Sequence, residues 1–425
     1  MKIIKVNGLT PIQSGMLFQY MLSNDKSSYM GTEIFELEGN INSDIFKSVL
    51  EKISDEYEVF RTNVIYDKID VPKSVVIDKR TIPFEFHKAV TDEEIKLLTY
   101  KINAEQFEKG FDIQRDSLIR LDLIVGENSS VIIFSFHHIL MDGYCAAMIA
   151  DIIMKNYGKL LGRQIENDGE YVPFSAYQDW IIIQDMSQSR EYWHEYLKDI
   201  SPVQPLELIQ FGSDRKKDVG HSSLTVEFTP SETKELLSAA AAGNATLNIY
   251  MQWLWGITLC RNFSCDKAVF GTVVSYRPAE FSNAERVLGP MINTVPVVFE
   301  CSSDIKITEQ LNAFRRSFLD SMEHSWIGLG EISKAVEDCK NLIDHLFVYD
   351  NFPEMDFGSI KENTGFQVKN FKLEERTEYA LTLEVSKTDR IRIRFNFNSG
   401  RYSAESIERL AELYKNICVS AVNAQ

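Results

Sequence analysis

The chain has 425 residues, 44% of them hydrophobic, which fills more than one core and leads us to expect two lobes. Sixty-two acidic against 45 basic side chains leave a formal charge of −17. No basic tract compensates for it, which argues against a general role on nucleic acid or anionic membrane.

The opening Met1-Lys2-Ile3-Ile4-Lys5-Val6-Asn7 lacks the apolar core of a signal peptide, so a cytoplasmic protein is expected. Six cysteines at 145, 260, 265, 301, 339 and 418 show no paired metal spacing and are too sparse for a disulfide scaffold; they read as reduced thiols. Without a secretion route, the glycosylation patterns at Asn128, Asn244 and Asn262 are chance matches. Thr91 with Glu94 forms a capping box at a helix start. The polar stretch 162–171 is the best boundary, dividing the chain into 1–170 and 171–425. Arg215-Lys216-Lys217, flanked by Asp214 and Asp218, reads as a solvated loop.

Thr229-Pro230-Ser231-Glu232 combines a cap, a proline at the first helical position and a matching Glu. The most apolar helix, 247–260, is interrupted by Asn248, Gln252 and Thr258, so it is no membrane span. Ile391 to Asn398 alternates apolar and polar residues as a half-buried strand does. Ser403 then caps a final amphipathic helix whose Ile407, Leu410, Tyr414 and Ile417 share one side. Strands and helices mix in both halves, an α/β (α+β) pattern without visible repeats.

The most informative window is His137-His138-Ile139-Leu140-Met141-Asp142-Gly143. The β-rich run Val131-Ile132-Ile133-Phe134-Ser135-Phe136 feeds it, and a helix-spaced apolar segment from Cys145 follows it. Successive strand residues face opposite ways, so His137 and His138 cannot look into one cavity: one works and one is structural. The same geometry argues against a metal held by the doublet and Asp142. His87, His194, His221 and His345 read as satisfied core residues. Gly143 permits an unusual backbone angle at the helix start. No G-x-S-x-G nucleophile elbow occurs.

This window resembles the HHxxxDG signature of condensation domains of nonribosomal peptide synthetases, within the wider chloramphenicol-acetyltransferase-like acyltransferases. Other segments resemble the family's motifs in the expected order: Leu9-Thr10-Pro11-Ile12-Gln13-Ser14-Gly15-Met16-Leu17-Phe18, Glu58-Val59-Phe60-Arg61-Thr62 and Tyr177-Gln178-Asp179-Trp180. Ser275-Tyr276-Arg277-Pro278, Leu288-Gly289-Pro290-Met291-Ile292-Asn293-Thr294 and the late strand from His345 to Pro353 continue the series. Tyr57 stands where the family often has His, and Tyr144-Cys145 replaces a frequent Trp-Ser.

The resemblance implies two acetyltransferase-like lobes in a V with an active-site tunnel between them, the first carrying the histidine motif. It implies that the amine of an aminoacyl group on a downstream (acceptor) peptidyl carrier protein attacks an acyl or peptidyl thioester on an upstream (donor) carrier, forming an amide. An adjoining adenylation domain is the further expected partner. No cofactor is expected on the chain itself, since substrates arrive on 4′-phosphopantetheine arms. His138 would orient the amine and take its proton, with His137 beside it. Asp142 would hold the loop by pairing with Arg277 from the other lobe, and Gly143 would leave room for the arm. Tyr144, Ser275, Asn293 and Thr294 are the candidate tunnel residues. An epimerization domain, a freestanding acyltransferase using acyl-coenzyme A or making esters, and a silent carrier-docking platform are the other readings.

Overall fold

The computed structural model describes residues 2–23, 25–165, 171–200, 220–301, 306–336, 342–350, 357–375 and 379–423. The Arg215-Lys216-Lys217 run, Cys339, the His221 side chain and the end of the late strand after Asp350 lie outside the described residues.

The chain divides into two compact units, and neither is contiguous in sequence. The first comprises Met1–Gln184, Arg277–Met291 and Phe352–Glu378; the second comprises Asp185–Tyr276, Ile292–Asn351 and Tyr379–Gln425. A single boundary in 162–171 therefore does not describe this division. The reason is strand pairing over long sequence distances, which local polarity does not register. Val287–Leu288 pairs in parallel with Val172–Pro173. Gln367–Glu375 pairs antiparallel with Met30–Glu38.

Among the described residues, the first unit is built on a five-stranded sheet. Its order is Gln367–Glu375, Met30–Glu38, Ser129–His137, Ile119–Val125 and Phe84–Lys88. The histidine strand is central, and Ser130 to His137 are all buried. On one face Ile132, Phe134 and Phe136 join a large core with residues of the helices Ser43–Glu56 and Gly143–Leu160. On the other, Val131 and Ile133 pack with Ile95 and Ile102 of the helix Asp92–Lys109. A strand covered on both faces needs a continuous apolar run rather than alternation, which is what Val131 to Phe136 supply.

The second unit carries a six-stranded sheet in the order Ile292–Glu300, Lys267–Ser275, Leu346–Asp350, Leu381–Lys387, Ile391–Asn398 and His221–Glu227. Residues of Ile391–Asn398 alternate buried and half-buried, as their pattern predicts. Thr229 makes a complete capping box with Glu232, and Ser403 Oγ accepts the Ser406 amide at 3.2 Å. The box at Thr91 is skewed: Thr91 accepts the Glu94 amide, but the Glu94 carboxylate reaches back to the Val90 amide instead.

The apolar helix Leu247–Phe263 is almost wholly buried in this unit, and two of its polar side chains donate within the helix. Gln252 donates to Asn248 at 2.7 Å, and Thr258 donates to the Leu254 carbonyl. Among the described residues, no helix is long and apolar enough to cross a membrane. His345 is buried and accepts from Trp255 Nε1 at 3.1 Å, whereas His194 is solvent-exposed rather than a core residue.

Arg61, from the segment that resembles a family motif, is a buried tie. Its guanidinium donates to the Ser54 and Asp55 carbonyls in the last turn of the helix Ser43–Glu56, and to the Ile77 and Asp78 carbonyls. It thereby caps the negative end of one helix dipole and anchors a strand end. Arg61→Met keeps the volume but leaves these buried carbonyls unpartnered. A loss of roughly 2–4 kcal/mol in urea unfolding is the expected outcome.

Candidate active site

The chain leaves the sheet at His137, turns through Ile139 to Met141, and starts the helix Gly143–Leu160. His137 and His138 point opposite ways, as strand geometry requires. His137 is fully buried, and its Nδ1 accepts the Ile139 amide at 3.0 Å. Tyr20, Tyr29 and Phe111 surround its ring, and its Nε2 has no hydrogen-bond partner among the described residues. Burial, and secondarily the neighbouring His138, pushes its pKa down to about 3, so it stays neutral.

His138 is 9% exposed and meets a different environment. Its Nε2 lies 3.1 Å from Glu375 Oε1, and its Nδ1 lies 3.3 Å from the Met141 carbonyl. Burial alone would lower its pKa. The charge and hydrogen bond of Glu375, the Met141 carbonyl and the charge of Asp142 outweigh that and raise it above the ordinary histidine value. Gly31, opposite Glu375 in the sheet, leaves the Phe136 ring room: a Cβ there would sit 2.5 Å from it. Phe136 in turn packs edge-on against His138 at 5.1 Å.

Below Glu375 lies Glu33, 3% exposed, on the strand face that also presents Phe35 and Leu37 to the core. Its Oε2 has no partner among the described residues, and it borders an apolar void of about 10 Å³, barely the space of one water. Burial, and then the charge of Glu375, raises its pKa to about 8, so it is protonated at neutral pH.

Asp142 holds the turn. It is fully buried and caps the helix, its Oδ1 accepting the Cys145 amide at 2.9 Å. Its Oδ2 accepts the Met291 amide at 3.0 Å and lies 3.4 Å from Arg277. Arg277 also donates to the Ala284 carbonyl at 2.9 Å, and its guanidinium lies 4.1 Å over the Tyr144 ring. The ion pair suggested by the resemblance is thus present, but both partners belong to the first unit rather than to different ones. Cys145 Sγ accepts the Gly289 amide at 3.2 Å, and Gly289 has no space for a side chain, since a Cβ would meet the Phe174 ring at 1.9 Å.

Gly143 is the first residue of the helix and is not among the glycines with positive φ, so the unusual backbone angle expected there is not what the position uses. Ser275, Asn293 and Thr294 belong to the second unit. Ser275 is exposed at a strand end and Thr294 is half-buried. The Asn293 amide donates to the Ser325 and Ile327 carbonyls at 2.6 and 2.7 Å, which commits it to holding that turn.

Two further side chains, both in segments that resemble family motifs, act on the loop in roles the sequence did not assign. Gln13 donates to the Ile139 carbonyl at 2.9 Å, and Gln178 donates to Gln13 at 2.9 Å. Glu375 gave no sequence signal, whereas Glu33 gave one: an acid on the apolar face of a strand.

A cavity of about 1230 Å³ in the first unit is lined by residues including Lys52, Tyr57, Lys155 and Tyr171, and none of its lining comes from the histidine turn. Lys52 is bound to Asn156 and Lys155 to Asp151, each at 2.8 Å. Among the described residues, one His/acid trio comes close enough to share an ion: Glu85, His87 and Asp122. There His87 bonds Asp122 at 3.0 Å, and Gln106 takes the other carboxylate oxygen.

A buried imidazole paired to a carboxylate thus sits on a turn held by hydrogen bonds at Asp142 and at the Ile139 carbonyl. The nearest thiol, Cys145, is engaged with backbone and pushed far up by burial. The condensation-domain family model matches residues 4–424, and the chain belongs to that family. It is 30% identical over 428 residues to gramicidin S synthase 2 of Aneurinibacillus migulanus, covering 98% of this chain and 9% of that protein. It is also 28% identical over 421 residues to tyrocidine synthase 2 of Brevibacillus parabrevis, covering 98% of this chain and 12% of that protein. The chain therefore spans about a tenth of the length of these relatives.

Solved structures share the fold. The condensation domain from the monacolin K polyketide synthase MokA superposes with a TM-score of 0.81 at 15% identity, covering 99% of this chain and 98% of that one. The four-domain nonribosomal peptide synthetase holo-AB3403 gives 0.81 at 18%, covering 99% and 33%. The epimerization domain TycB3(E) gives 0.76 at 15%, covering 99% and 96%.

Asp142 and Arg277 share one set of partners, so their removal should not add. In a double-mutant cycle of Asp142→Ala and Arg277→Ala, the double variant is expected to lose less unfolding free energy than the sum of the singles, by about 1–3 kcal/mol. Glu33 has a folded pKa of about 8 against an ordinary 4.5, so its ionisation opposes folding increasingly as pH rises between those values. Glu33→Gln is expected to raise the melting temperature relative to the parent, with the gain opening above pH 4.5 and levelling near pH 8 in a pH series of melting curves.

Proposed function

We propose that the chain forms amide bonds on carrier-tethered substrates. The α-amine of an aminoacyl group on a downstream carrier attacks the thioester carbonyl of an acyl or peptidyl group on an upstream carrier. The C–N bond forms, the C–S bond breaks, the amine gives up a proton, and the departing thiolate takes one. His138 is the group that handles the amine's proton. An amine with a reference pKa near 7.7–8.0 is largely protonated at neutral pH and attacks only when neutral. The single observation that carries this reading is His138, buried and paired to a carboxylate, on a turn whose neighbouring thiol is masked.

The thioester is already activated, so no nucleophilic side chain is needed. Asp142 and Arg277 keep the turn in place, and Gly143 leaves the helix start without a side chain where a phosphopantetheine arm would approach. The arm and its acyl groups belong to the carriers, so the chain needs no cofactor of its own. The synthetase relatives support carrier proteins and an adenylation domain as partners, and a cytoplasmic setting.

The test is reconstitution with two carriers, each chemically loaded, read by intact mass. The parent chain is expected to transfer the donor acyl group to the acceptor carrier. His138→Ala should lower that rate by about 10²–10⁴ with an unchanged melting curve, whereas His137→Ala should mainly lower the melting temperature. Equal rates for the His138 variant and the parent would overturn the assignment. Loss of stereochemistry on a single loaded carrier would point to epimerization instead, and transfer from acyl-coenzyme A to a freestanding acyltransferase.

A further inference from the structure

We propose that Glu375 is the positioning residue that sets the charge state of His138, and with it the pH at which the site becomes active; this deepens the reading of His138 given above. Both ring nitrogens of His138 face oxygen atoms: Nε2 faces Glu375 Oε1 at 3.1 Å and Nδ1 faces the Met141 carbonyl at 3.3 Å. A neutral imidazole has one N–H and satisfies one of these contacts; an imidazolium has two and satisfies both. The contacts therefore favour the imidazolium form of the ring. In that form the ring has no lone pair for the amine's proton, so the proton must first leave, either to bulk water or along the 3.1 Å contact onto Glu375.

The charged groups around the pair come from each element packed against it. Asp142, in the turn, adds negative charge but is already bound to Arg277 and two backbone amides. Glu33, on the strand beside Glu375, is buried with an unpartnered oxygen and adds charge only once it ionises. His137 is neutral in its aromatic cage. Glu375 is therefore the one carboxyl side chain in hydrogen-bond contact with the His138 ring among the described residues. Without it, burial is the largest remaining influence and acts downward.

The experiment titrates His138 in the free chain, by NMR of labelled imidazole, in the parent and in Glu375→Gln, which keeps the shape and removes the charge. The His138 midpoint is expected to fall by at least about one unit in the variant. With loaded carriers, the variant-to-parent rate ratio should then be up to about tenfold higher at pH 6 than at pH 8, because a one-unit shift changes the neutral fraction tenfold below both midpoints. A merely structural contact would lower the rate equally at both pH values. An unchanged midpoint overturns the proposal, whatever the rates.

Should Glu375→Gln fail to give a folded spectrum, Glu375→Asp is used, with the midpoint expected between that of the parent and the ordinary histidine value; an Asp variant that titrates as the parent does would overturn the proposal as well. The titration needs no substrate, so a parent that shows the midpoint shift yet forms no amide would sink the proposed function and leave the pairing standing.

Discussion

One buried carboxylate governs the site. Asp142 has no exposed surface, so its charge is tolerated only because every partner is in place: the helix amide of Cys145, the strand-end amide of Met291 and the Arg277 guanidinium. These partners come from two stretches of sequence far apart, and the carboxylate ties them to one point. The turn it anchors is also held at the Ile139 carbonyl by Gln13. With its ends and middle fixed, the turn leaves the His138 ring little freedom, which is what positioning catalysis requires. The magnitudes say why that matters. Orientation of two tethered reactants contributes roughly 7–11 kcal/mol, whereas a general base contributes about 10²–10⁴ in rate, or roughly 3–5 kcal/mol. A fold that lost the proton acceptor but kept the alignment would still retain most of the acceleration.

Legibility from sequence followed the range of the interaction. Caps and periodicities are local, so Thr229, Ser403 and the alternation of Ile391–Asn398 were readable directly. The opposed histidines were readable from strand geometry alone. The capping box at Thr91 was readable in kind but not in detail, because the Glu94 side chain chose the amide one residue earlier. The division of the chain was not readable as a boundary. It depends on hydrogen bonds between Gln367–Glu375 and Met30–Glu38, and a strand's choice of a distant partner leaves no local mark. Glu375 was invisible for the same reason: in Phe371-Lys372-Leu373-Glu374-Glu375 it is one acid among charged neighbours, and only the sheet register brings it opposite Gly31 and within reach of His138.

Two histidines adjacent in sequence are shifted in opposite directions, and burial alone does not explain it, since it pushes both downward. The difference lies in the partners. His137 accepts one amide and is otherwise ringed by aromatic groups, which offer nothing to an extra proton. His138 faces a carbonyl and a carboxylate, which reward one.

Glu33 completes this arrangement by staying neutral. Were it ionised, a second negative charge would stand close to the His138–Glu375 contact, and its burial makes that charge costly. The apolar surroundings that hold the Glu33 proton up to about pH 8 therefore keep a second buried charge away from the His138–Glu375 contact. His137, His138 and Glu33 are thus shifted in directions that follow how many polar partners each can reach: one amide, a carbonyl with a carboxylate, and an oxygen without a partner among the described residues.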